Sequence, residues 1–330
     1  MNILFLFLAG FLLSYFLQGS LVITNGVKSV PAVNVTPLAF SSTTHSIPYD
    51  AVVFTTEDVY SDYTLRKLKR FRSMVDLLSS SFNVHFILFS SNQDIKQQFN
   101  TSHCMVVSDY ARNPYGIPII NSMFSIAHRL VNAKYYGYVN SDILLQPSLF
   151  RVLSFLDSRV RSGILYATHE LAGRVIEVEY ESFPPSFANL TEYEDFFHAI
   201  KLSHTLRGVY SADYFFFSEP AVHLITSSPM PFVVGRVRVD NYLMGLCDIA
   251  EQCTVIDGTS TVTGIHIGMD SHDLREGGID TGDQEWNIKL IEQQINLLSY
   301  LTRPFRRVVV RNSANRFVLK RRWGSVLLSI

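Results

Sequence analysis

Apolar residues gather in short blocks along this chain, and two spacings alternate. Ala51–Thr55, Val84–Phe89 and Cys104–Val107 are apolar runs of strand length. Leu65–Leu78 begins basic and turns apolar at Leu68, Phe71, Val75 and Leu78, a helical spacing. Ile117–Val131 predicts the clearest helix, with Pro118 near its first turn and a wide apolar face through Ile119, Ile120, Met123, Phe124, Ala127, Leu130 and Val131. Tyr135–Leu145 reads as a buried strand carrying Asn140-Ser141-Asp142 within it. A helix opening at Pro147-Ser148 and a strand over Gly163–Ala167 continue the series. Such alternation predicts an α/β fold, with a mostly parallel sheet covered by helices on both faces.

The second half is less regular. Arg174–Tyr193 reads as an excursion or loop, and Val209–Phe217 as an aromatic strand containing Asp213. Pro231–Asn241 leads into an apolar helix, Tyr242–Ala250; within it Arg236 and Arg238 alternate, as on one face of a strand. Thr254–Asp257 is a last strand, and Val262–Gly268 sets His266 between two glycines. A polar loop, Met269–Asp283, precedes a final helix. Arg303–Arg322 holds eight basic residues and no acidic ones.

The N-terminus is a separate object. Ile3–Ile23 is almost wholly apolar and just long enough to span a bilayer of about 30 Å. Leu17-Gln18-Gly19 is a poor cleavage site, which favours an uncleaved anchor; cleavage would release a secreted protein. Thr24–Pro48, rich in Ser, Thr, Val and Pro, reads as a stem. The expected division is 1–24 anchor or signal peptide, 25–48 stem, 49–302 a single domain and 303–330 a basic tail. Sequons at Asn34, Asn100 and Asn189 agree with a body in the lumen of the secretory pathway or outside the cell. Cys247 and Cys253 are spaced to close a small loop, leaving Cys104 over. With 47% hydrophobic and 17% charged residues the chain is not disordered, and a net charge of −1 provides no global field for nucleic acid.

Four residues separate themselves as candidates for chemistry. Asp142 follows an apolar strand, where open α/β sheets bind ligands, and a carboxylate there suits a hard divalent cation; Asn-Ser-Asp is equally good turn chemistry. Asp213 in an aromatic run needs a partner if buried. Asp240-Asn241 opens a helix, where Asp also caps. His266 lies where glycines let a backbone approach a ligand. The chain has no Gly-x-Gly-x-x-Gly after the first strand, no Walker loop, no Gly-x-Ser-x-Gly, no His-Glu-x-x-His and no EF-hand spacing.

In their order these pieces resemble a glycosyltransferase of the GT-A fold, a Rossmann-related nucleotide-diphospho-sugar transferase architecture. The resemblance runs from about Tyr49 to Asn287, and includes a loosely characterised GT-A-like group. It rests on Ala212–Phe217, Pro231–Arg236, Asp240-Asn241, Val255–Asp257 and Ile265-His266, together with Asn140-Ser141-Asp142, which is similar to the Asp-x-Asp motif but departs at Asn140. The resemblance implies a Mn²⁺ or Mg²⁺ ion on Asp142 and His266, and a nucleotide-sugar donor bound near Thr55, Asn121, Asp142 and Arg236. It further implies Asp240 as the base toward a glycan or other hydroxyl acceptor, and a Golgi or ER enzyme facing the lumen. A non-catalytic nucleotide- or sugar-binding relative is the alternative that Asn140 raises.

Overall fold

The computed structural model describes residues 48–329 apart from 59–60, 180–182, 185, 209–210, 269–280, 293–297, 303–305 and 324–325. The expected anchor, almost all of the stem, and Asn34 lie outside the described residues. Among the described residues no helix is long and apolar enough to cross a membrane.

The strands are β1 (Ala51–Thr56), β2 (Val84–Phe89), β3 (Cys104–Val107), β4 (Tyr135–Val139), β5 (Ile143–Leu145), β6 (His169–Gly173), β7 (Val175–Val178), β8 (Tyr214–Ser218), β9 (Thr254–Asp257), β10 (Gly264–Ile267), β11 (Arg307–Arg311), β12 (Phe317–Trp323) and β13 (Val326–Ser329). The helices are α1 (Asp62–Ser81), α2 (Gln93–Phe99), α3 (Ile120–Leu130), α4 (Ser148–Arg161), α5 (Leu190–Ser203), α6 (Val222–Thr226), α7 (Val239–Ile249) and α8 (Thr281–Glu292). A ten-stranded sheet runs in the order β13-β12-β11-β9-β6-β8-β4-β1-β2-β3. Within it β8 and β12 run against the other strands. This is the mostly parallel, helix-flanked sheet that the alternation predicts.

Two cores cover the two faces. On one side Ala51, Val53, Phe86 and Leu88 pack against Leu68, Phe71, Met74 and Val75 of α1 and Leu149, Val152 and Leu153 of α4. On the other, Val52, Phe54, Ile87 and Phe89 meet Ile120, Met123, Phe124 and Ala127 of α3 and Tyr242, Leu243 and Leu246 of α7. The period-two split of β1 between these cores is what a strand buried on both faces requires.

Helix α1 begins where Ser61 accepts a hydrogen bond from the Thr64 amide at 3.2 Å, an N-cap. Its buried face runs Thr64, Lys67, Leu68, Phe71, Met74, Val75, Leu78. A lysine therefore lies on the apolar stripe. The Cys247–Cys253 disulfide forms at the end of α7, leaving Cys104 free and buried. Asn100 and Asn189 of the two described sequons are both exposed.

Several expectations shift. The stretch Tyr135–Leu145 is two strands: β4 stays in the main sheet, while β5 leaves it to join β10 and β7 in a three-stranded sheet. Gly163–Ala167 is not a strand. Gly163 has φ +72 and closes the turn after α4, Ile164 and Tyr166 are exposed, and the strand is instead His169–Gly173, disguised by two buried ionisable residues. The excursion from Arg174 contains β7, and Asp213 immediately precedes β8 rather than lying inside it. Residues 231–238 form turns, with Gly235 at φ +64 and Arg238 at φ +74, so Arg236 is buried and Arg238 exposed instead of sharing one strand face. Asn287 of α8 clips that segment, accepting from the Val233 amide and donating to the Val233 carbonyl, both at 2.9 Å. Finally, 303–330 is no detached tail: β11 pairs with β9, and β12 and β13 extend the sheet.

Glu170, at the centre of the sheet, is wholly buried, and neither carboxylate oxygen is hydrogen-bonded among the described residues. Burial pushes its carboxyl up to about 8, against a smaller opposing effect of Arg306 and a further raising effect of Asp248. The folded state thus holds a proton that the unfolded chain releases near pH 4.5, so stability falls as pH rises from there toward 8. Glu170→Gln is expected to raise the melting temperature more at pH 8.5 than at pH 5, measured by calorimetry; an equal shift at both pH values contradicts this.

Candidate functional site

The site is built where β4 ends. After Val139 the chain turns through Asn140-Ser141-Asp142, with the Ile143 amide bonding back to the Asn140 carbonyl at 3.1 Å. The turn reading of this motif is therefore correct as local structure, and it does not compete with a site. Asn140 directs its side-chain oxygen to the Tyr138 hydroxyl at 2.7 Å, and Ser141 donates to Glu57 at 3.1 Å. Asp142 is left facing inward.

β10 then delivers the histidine. Its antiparallel register on β5 sets His266 opposite Ile143, and the Ile267 amide donates to the Asp142 carbonyl at 2.8 Å. His266 Nε2 consequently lies 3.4 Å from Asp142 Oδ2. Gly268 closes the strand at φ +91, a backbone angle that favours glycine, and a Cβ there would also meet the Tyr63 hydroxyl.

Lys67 completes the centre. Its Nζ lies 2.9 Å from Asp142 Oδ2 and 4.9 Å from the Tyr63 ring centroid. Burial would raise the Asp142 carboxyl, but the His266 hydrogen bond and the Lys67 charge outweigh it and hold the group well below the usual carboxylate range. Sequence reasoning missed Lys67. The signal was its place on the Thr64–Leu68–Phe71 stripe of α1, where a lysine needs a partner.

A charged chain extends from this centre. His266 Nδ1 is 3.9 Å from Glu177, Glu177 pairs with Arg207 at 2.7 Å, and Arg207 pairs with Asp213 at 2.9 Å. Asp213 also accepts from Ser211 at 2.8 Å. Because β8 is antiparallel to β4, with Tyr214 opposite Val139, the start of β8 meets the end of β4. Asp240 joins here. It stands in the first turn of α7, with Arg238 rather than Asp240 at the cap position. Burial, together with the nearby Asp213 carboxylate, raises its carboxyl to about 6, against backbone hydrogen bonds from Asn241 and Ala212.

The four candidates Asp142, Asp213, Asp240 and His266 thus gather along one edge. Thr55 is wholly buried near the end of β1 with its Oγ1 unpartnered. Arg236 is buried in the turn before α7 and donates to the Gly235 carbonyl at 2.8 Å. Asn121 ties α3 to the Ser228 carbonyl at 2.8 Å. A second cluster that the sequence did not suggest lies beyond β1, where Asp58 accepts from Arg112 at 2.7 Å, the Ser91 amide at 2.8 Å and Tyr110 at 3.0 Å.

Two buried atoms of the centre, Asp142 Oδ1 and His266 Nδ1, have no hydrogen-bond partner among the described residues. Leaving such a group unmet costs about 1–3 kcal/mol, and a bound ligand would relieve it. A divalent cation is the first ligand to test. The 3.4 Å between Oδ2 and Nε2 is a spacing that two ligands of one ion can keep. The Lys67 ammonium, however, already lies against the same Oδ2, and an ion there would set three positive charges against one carboxylate. Among the described residues no group of three or more His, Cys, Asp or Glu side chains is placed to hold a metal ion. As arranged, the described residues do not fit a divalent cation.

No family model matches the chain, and no curated protein matches it. Among solved structures, S. aureus TarS residues 1–349 in complex with UDP-GlcNAc is similar over 77% of this chain and 68% of that one, at 11% identity and TM-score 0.45. CMP:2-keto-3-deoxy-manno-octonic acid synthetase complexed with CTP is similar over 68% of this chain and 95% of that one, at 10% identity and TM-score 0.34. The 4-diphosphocytidyl-2C-methyl-D-erythritol synthase of Anaerococcus prevotii is similar over 68% and 92%, at 12% identity and TM-score 0.33. At these values the likenesses assign no residue a role here.

Removing one partner of a buried ion pair leaves the other charge stranded. Arg207→Met is expected to destabilise the protein by about 3 kcal/mol, and Asp213→Asn in the same background to recover part of that loss in denaturant unfolding. Independent, additive losses would show that the pair is not coupled.

Proposed function

We propose that this protein is a nucleotide-sugar-dependent glycosyltransferase, acting on a glycan or other hydroxyl acceptor in the secretory pathway. The observation that supports it most is the pairing of unlike charges at one edge of a mostly parallel sheet. Lys67 offers a fixed cation, Asp142 Oδ1 offers an unmet acceptor, and Asp240 stands in reach of the same network. A ligand carrying both anionic oxygens and hydroxyls answers such a site, and a sugar diphosphate is of that class. Carboxyl ends of strands are where open α/β sheets bind ligands.

In this reading Asp142 Oδ1 accepts from a donor hydroxyl. Asp240 takes the proton of the acceptor hydroxyl as that oxygen bonds to the donor's anomeric carbon, while the anomeric carbon–phosphate oxygen bond breaks and the nucleoside diphosphate leaves with the bonding electrons. A carboxylate raised to about 6 is a better base than an ordinary aspartate and remains ionised at neutral pH. Arg236, in the turn leading to Asp240, is assigned to donor phosphate, as the sequence resemblance implies. Asn140 favours the second reading, a protein that binds a nucleotide sugar without transferring it, because its side chain is committed to Tyr138 and leaves one carboxylate where the related motif has two.

Two expectations follow from these roles. With a panel of UDP- and GDP-sugars, kcat is expected to rise with pH through about 6, and Asp240→Asn is expected to lower kcat by roughly a hundredfold or more with little change in KM. Asp142→Ala should weaken donor binding in a thermal-shift series while the fold persists. Donor binding with no transfer in any combination would select the binding-protein reading, and no donor binding at all would remove both.

A further inference from the structure

We infer that the Lys67 ammonium, clamped on Asp142 and Tyr63, is the cation that receives the donor diphosphate, so that nucleotide binding at this site requires no divalent metal. The inference rests on the nucleotide-sugar reading and deepens it by naming what meets the phosphate charge.

The placement of Lys67 carries it. The residue is buried on the apolar stripe of α1, where a lysine is costly unless its charge is used. Its side chain is held from two directions, by Asp142 Oδ2 at 2.9 Å and by the Tyr63 ring at 4.9 Å. The Tyr63 hydroxyl lies beside Gly268, which follows the strand that carries His266. An ammonium has three protons, and Asp142 takes one. The others remain for oxygens of a ligand at the same edge. Lysine serves phosphate as a point charge, and desolvation against a ring and a carboxylate strengthens that service by lowering the local dielectric. The ammonium also lies against the same Asp142 oxygen that His266 Nε2 approaches.

The composition of the motif agrees. The position that would supply a second carboxylate is Asn140, turned to Tyr138. The Asp142 carboxylate and the Lys67 ammonium cancel one another before the ligand arrives. Glu177, the next carboxylate outward, pairs with Arg207 at 2.7 Å, and Asp213 shares that cation at 2.9 Å.

The test is calorimetric titration of the full chain with UDP, GDP, ADP and CDP, in EDTA and separately in Mn²⁺. At least one nucleotide is expected to bind in EDTA with a Kd within about threefold of its value in Mn²⁺. Lys67→Arg should keep binding, while Lys67→Gln should weaken it by about tenfold or more in EDTA. A second readout uses the wild-type chain alone: the electron paramagnetic resonance signal of free Mn²⁺ should persist when apo-protein is added in slight excess. Nucleotide binding that appears only with Mn²⁺ overturns the inference and leaves the donor reading standing. So does stoichiometric loss of the Mn²⁺ signal that Asp142→Asn abolishes. Failure of all four nucleotides in both buffers overturns the donor reading, and the inference with it.

Discussion

The short antiparallel pairing of Ile143–Leu145 with Gly264–Ile267 is the constraint on which the centre depends. Had β4 continued straight, Asp142 would have remained in the main sheet, with its side chain committed to one core or the other. Leaving the sheet at Asn140 frees the carboxylate, and β10 returns from more than a hundred residues away to meet it. The side-chain period of a strand is two, so a slip of one residue in this register would turn His266 to the opposite face. Lys67 reaches the same point only because α1 lies over that part of the fold, with Met74 touching the Leu145 amide.

Around that pairing the protein handles buried charge by alternation. Lys67, Asp142, His266, Glu177, Arg207, Asp213 and Asp240 succeed one another along the edge, with a base beside nearly every acid. Buried ions stay charged when they are paired and hydrogen-bonded. The two atoms left unpartnered, Asp142 Oδ1 and His266 Nδ1, lie in the middle of this series, where a ligand would complete it. Far from the edge, Glu170 shows the opposite solution, with burial favouring the neutral acid. The same residue type is ionised or protonated according to what lies within a few ångströms.

The structure also separates roles that proximity in sequence suggested were joined. Arg236 and Arg238 alternate, yet positive φ at Gly235 and Arg238 sends them to different environments. The basic run after residue 303 would pass for a solvated tail, but Arg306 and Arg322 pair with Asp248 and Asp257 and tie added strands to the sheet. Charge patterns read along a chain do not reveal which charges will be neutralised across it.

Much was legible before any fold was known. Apolar runs of strand length at 51–55, 84–89, 104–107 and 254–257 became strands, the first two because burial on both faces demands continuous apolar sequence. Helical periodicity placed α1 and α3, and the spacing of Cys247 and Cys253 anticipated their disulfide. Asp142, Asp213, Asp240 and His266 stood out because isolated ionisable residues in apolar runs need partners. What stayed hidden was held by long-range geometry. The β6 strand was masked by His169 and Glu170, which burial tolerates only in their particular surroundings. The break at Asn140, the β5–β10 pairing and Lys67 beneath Asp142 depend on which distant segments meet. Local periodicity determines which residues are buried, whereas the partner of a buried charge is decided only by the tertiary fold.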